Sequence, residues 1–90
     1  MTMKFFGLQM QVGIINTDGD LDLVDLETGM PLSHMTAGIQ APEGCAYMNT
    51  DDDLVRKVVK ILVEEGAIVP VNAGRYAIYP MFRFTEKFSF

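Results

Sequence analysis

Ninety residues carry 12 acidic side chains against 7 basic ones, a formal net charge of −5, one cysteine and no tryptophan. A chain this short buries only about 60–65% of its unfolded surface, yet with 49% hydrophobic and 21% charged residues it holds enough apolar material for one core and a single domain, 1–90, and too much for wholesale disorder. Its apolar runs fall short of the roughly 20 residues of a membrane-spanning helix, Gln9 and Gln11 interrupt the start as a secretory signal would not, and a lone Cys45 excludes an internal disulfide framework and suits a reducing cytoplasm.

From 6 to 14 the even positions read Phe6, Leu8, Met10, Val12 and Ile14, with Gly7, Gln9, Gln11 and Gly13 between them. Strict period two predicts a half-buried strand with the even set toward the core. Asn16-Thr17-Asp18-Gly19-Asp20 follows, and Asp-Gly between two apolar runs predicts a hairpin, because a type I′ turn needs positive φ. The strand over 21–26 then returns antiparallel, with Leu23 opposite Ile14. Glu27-Thr28-Gly29 reads as a second tight connection. A third strand falls within 30–39, held to a sheet edge or delayed by Pro31, which has no N–H to donate. Residues 40–46, with Pro42 and Gly44, read as loop.

A helix is predicted over 50–65. Thr50 is the expected N-cap, Asp53 completes an acidic form of the capping box, and Gly66 stops the helix. Asp51 and Asp52 favour its positive end. Leu54, Val55, Val58, Val59, Ile61, Leu62 and Val63 fill one broad face, with Leu54, Val58, Ile61 and Leu62 expected deep in the core. Asp53, Arg56, Lys57, Lys60 and Glu64 share the other face, with Asp53–Lys57 and Lys60–Glu64 as supporting pairs. Beyond Gly66 the pattern predicts a strand over 67–71, a turn at Asn72-Ala73-Gly74 and a last strand over 75–84. The fold class that follows is α+β: one antiparallel sheet of four to five strands with one helix on one face, in the order β-β-(β)-α-β-β.

Few residue constellations point to chemistry. Asn16, Asp18, Asp20 and Glu27 occupy ligand positions of a calcium loop, but Leu21 stands where such a loop turns on glycine. The expectation is a solvated hairpin with its acids on the exposed face. Ser33 and His34 are neighbours on a strand and point to opposite faces, so they form no nucleophile–base pair. A Cys45–His34 dyad lacks a third, orienting group. Paired histidine or cysteine ligands for zinc are missing, and Gly7, Gly13 and Gly19 do not form a phosphate-cradling loop. No catalytic residue, metal or cofactor is expected, and so no enzyme.

Residues 1–53 hold nine acids and one base, whereas 54–90 hold six bases and three acids. Such asymmetry can steer a charged partner or bring one copy's acidic half to another's basic half. Phe82, Phe84, Phe88 and Phe90 recur at even positions near the end, either completing the core or reaching another chain. The expected function is therefore a small non-enzymatic protein-binding module, of the accessory or inhibitor kind that phages and mobile elements encode. Asp18, Asp20, Asp22 and Asp25 would steer toward a basic partner protein, and Phe88 and Phe90 would anchor it. The first alternative is a structural subunit that self-assembles as a homo-oligomer. The second is nucleic-acid binding through the helix at 50–65 and the hairpin at 67–80, which the net negative charge opposes.

Overall fold

A computed structural model of the chain describes residues 4–5, 11–76 and 79–88, with side chains placed at 11–72 and 79–88. The order of elements is β1 (Lys4–Phe5), β2 (Val12–Thr17), β3 (Asp20–Asp25), β4 (Pro31–His34), β5 (Cys45–Tyr47), α1 (Asp53–Glu64), β6 (Ile68–Tyr76) and β7 (Tyr79–Phe84).

Asp18 and Gly19 both take positive φ, +52° and +92°. They join β2 to β3 by the two-residue turn that Asp-Gly favours. Thr17 then faces Asp20, and Ile14 faces Leu23, the register expected from the alternation. Val12, Ile14, Leu21 and Leu23 point inward and are buried. Upstream, Phe5 pairs with Val12 in an antiparallel ladder. Of the expected strand over 6–14, Val12 to Ile14 belong to β2, and Phe6, Leu8 and Met10 lie outside the described residues. Downstream, Pro31 opens β4 at the sheet edge, where a missing N–H is tolerated. A bulge places Pro31 and Leu32 against one step of β3.

The single sheet of four to five strands is not what forms. There are two small antiparallel sheets, ordered β1-β2-β3-β4 and β5-β7-β6, the first edged by the two-residue β1. They meet at a seam where Thr36 bridges Met48, Ala37 N–H donates to Tyr47 O at 2.9 Å, and Asn49 N–H donates to Met35 O at 2.8 Å. One broad sheet under a single helix leaves its second face to water. Two sheets turned toward each other and the helix bury both inner faces in one core. That core joins the inner face of β2 and β3 to Met35 and Met48 at the seam, to Val55, Val58, Val59 and Leu62 of α1, and to Ala46, Ile68 and Phe82 of the second sheet.

Further expectations are corrected in the second half. Cys45–Tyr47 is a strand rather than part of a loop, held by β7 with Ala46 opposite Phe82. Tyr76 pairs with Tyr79, so the chain reverses after Tyr76 and not at Asn72-Ala73-Gly74, which lies inside β6. Between Val71 and Tyr76, β6 runs four residues past the single Pro80 of β7. Pro80 has no N–H for the ladder, and its carbonyl accepts instead from Met48 N–H at 3.0 Å.

The helix starts at Asp53, and Asp52, not Thr50, is its N-cap. Asp52 has extended backbone, and its Oδ1 accepts from Leu54 N–H at 2.9 Å and Val55 N–H at 3.2 Å. Gly66 ends the helix at φ +74°. There Gly66 N–H donates to Val63 O and Ala67 N–H donates to Leu62 O, which is the Schellman pattern. Leu54 and Ile61 flank the buried stripe half-exposed rather than deep in the core. Asp53 pairs with Arg56, one turn away, instead of with Lys57. The described methionines divide: Met35, Met48 and Met81 are buried, and Met30 is exposed just before β4.

Candidate functional site

Cross-strand partners share a face of a sheet. On the outer face of the first sheet this places Thr17 beside Asp20, and Ile15, Asp22 and His34 in one row across β2, β3 and β4. His34 Nδ1 and Asp22 Oδ1 are 2.7 Å apart, with the imidazole 86% exposed and the carboxylate 31% exposed. The pair holds the imidazole from its Nδ1 side and leaves Nε2 toward solvent. Ser33, one residue earlier, turns to the inner face and donates to Asp52 Oδ2 at 2.8 Å. The two neighbours thus serve opposite faces of β4, as strand geometry requires.

The end of the β2–β3 hairpin borders an open cleft of about 420 Å³. Thr17, Asp20, Asp22 and His34 line it from the first sheet, and Thr36, Asn49 and Tyr79 from the seam and β7. Asn49 Nδ2 donates to His34 O at 3.3 Å, and Thr36 Oγ1 accepts from Leu21 N–H at 3.2 Å. Both bonds tie the seam to the first sheet beside the cleft. A second depression of about 360 Å³ shares Asp20, Thr36 and Gly38 with the first and adds Asp18, Gln40, Cys45 and Tyr47. Asp20 therefore lines both depressions. Among the described lining residues the only side chain able to carry positive charge is His34.

Of the expected steering acids, the hairpin brings Asp18, Asp20 and Asp22 to this end of the molecule. Asp25 is separated from them. It lies opposite Val12, on the core-side face at the far end of β3, roughly 16 Å from Asp20 at about 3.3 Å per residue. There its Oδ1 accepts from Glu27 N–H at 2.9 Å. The same geometry scatters the residues spaced like a calcium loop. Glu27 sits in the distal turn, while Asn16 Oδ1 is engaged by Gly19 N–H at 2.9 Å. Among the described residues no group of three or more His, Cys, Asp or Glu side chains is placed to hold a metal ion. Cys45 is half-buried and lines the second depression, whereas His34 lines the first.

Phe88 is half-buried against the core, its ring centroid 4.8 Å from that of Phe84. Thr85 secures this tail segment, since its hydroxyl lies 2.6 Å from Gly66 O and its N–H donates to Ala67 O at 2.9 Å. Phe90 lies outside the described residues. On the helix, Arg56, Lys57 and Lys60 are exposed, and Arg56 is engaged by Asp53 and by Thr50 O. No helix among the described residues is long and apolar enough to cross a membrane.

Asp52 is the carboxylate whose acidity the fold clearly changes. Burial, the largest influence, favours its neutral form. The Ser33 hydroxyl, the Val55 and Leu54 amides and the Arg56 guanidinium together outweigh burial, and its pKa lies below the ordinary value.

Thr36 and Asn49 carry no site signal in the sequence, because an isolated bridge leaves too little periodicity to read, and Tyr79, although on an expected strand, comes to the cleft through the non-local pairing of β7 with β5. The pairing of Asp22 with His34 was within reach, since the hairpin register and one further strand align them. Set against known proteins, the chain matches no family model, no curated protein and no solved structure.

Proposed function

We propose that this chain is a small non-enzymatic binding module that takes a basic segment of a partner protein at the end of the β2–β3 hairpin. One observation carries the proposal: Asp18, Asp20 and Asp22 converge on two adjoining depressions whose described lining offers no lysine or arginine. The net charge of −5 adds long-range attraction for a cationic partner. A guanidinium suits the first cleft. It can take the Asp20 carboxylate in a bidentate pair and lie against the Tyr79 ring, whereas an ammonium makes only a point contact. The outer-face acids set approach rate and selectivity, and a side chain seated in the cleft supplies the anchor.

The test is a titration of the 15N-labelled protein with a tetra-arginine peptide and, separately, a tetra-glutamate peptide. The expected result is amide shifts confined to 17–22, 34–38 and 47–49 with the basic peptide alone, weakening steeply with added salt. The Asp20→Asn/Asp22→Asn double variant, shown to be folded by circular dichroism, should lose most of that binding. Equal binding by the variant, or shifts centred on another face, would overturn the proposal. Light scattering on the same samples reads self-assembly separately.

A further inference from the structure

We draw no further inference here: the strongest candidate, the cleft between the β2–β3 hairpin end and the seam of the two sheets with its Asp22–His34 pair, belongs to the site already described and rests on a cluster of acidic residues with no second observation that points to a ligand of its own.

Discussion

Ser33 and Asp52 are joined across 19 residues by a 2.8 Å hydrogen bond from the Ser33 hydroxyl to Asp52 Oδ2, while the other oxygen of the same carboxylate caps α1. One side chain therefore starts the helix and fastens that start to the edge strand β4. The arrangement accounts for the choice of Asp52 among Thr50, Asp51 and Asp52, each of which can cap a helix in isolation. Only Asp52 reaches both the helix amides and Ser33.

Removing that side chain should be felt at both ends. Asp52→Ala is expected to destabilise the fold by about 1–2 kcal/mol, the upper part of the range for losing an N-cap. Ser33→Ala should cost about 0.5–1.5 kcal/mol, as for one hydrogen bond. Urea melts of the two variants and their combination form a double-mutant cycle, and the combined loss should be smaller than the sum. Strict additivity would show that the bond contributes nothing to stability.

The same carboxylate makes stability depend on acid. Because its folded-state pKa is lowered, the contribution is fully present above the ordinary carboxylate value of 3.8 and is lost as pH falls through the folded-state value. Asp52→Asn cannot titrate, so the gap between wild type and variant in urea midpoint should be widest near neutral pH. It should narrow as pH drops below the ordinary carboxylate range. A constant gap down to the acid limb would contradict the assignment.

Leu62 is fully buried on the helix face that meets both sheets. Leu62→Ala should destabilise by about 2–5 kcal/mol, the range for truncating a buried leucine. A loss below about 1 kcal/mol in urea melts would mean that this face is not part of the packed core.

Gly66 holds φ +74°, and a Cβ there would meet only the flexible Lys87 side chain at ordinary contact distance. The cost of Gly66→Ala is therefore conformational, about 1–2 kcal/mol from the left-handed backbone. Gly66→Asn should lose less, because asparagine tolerates that region. Thermal melts that rank alanine above asparagine would refute this.

Phe88 stacks on Phe84 and covers the core. Phe88→Ala should cost about 1–3 kcal/mol, less than the range for a fully buried phenylalanine because the ring is half-exposed. Unchanged stability together with lost binding of the basic peptide would instead make Phe88 part of the partner surface.

Sequence alone determined the parts whose causes are local. Period-two alternation around Asp18-Gly19 set the register that places Ile14 opposite Leu23, since a two-residue turn leaves no other pairing that keeps both apolar sets inward. The 3.6-residue stripe and Gly66 likewise determined the helix and its end. Tertiary structure decided the rest. Cys45–Tyr47 becomes a strand only because β7 is there to pair with it, and Thr36, still bonded to Leu21 of β3, meets Met48 only because Ala37 N–H to Tyr47 O and Asn49 N–H to Met35 O close the seam on either side. Non-local hydrogen bonds of this kind have no counterpart in short-range periodicity. They split one expected sheet into two and drew Asn49 and Tyr79 to the cleft beside Asp20 and Asp22, because pairings between distant segments of the chain fix which strands lie side by side.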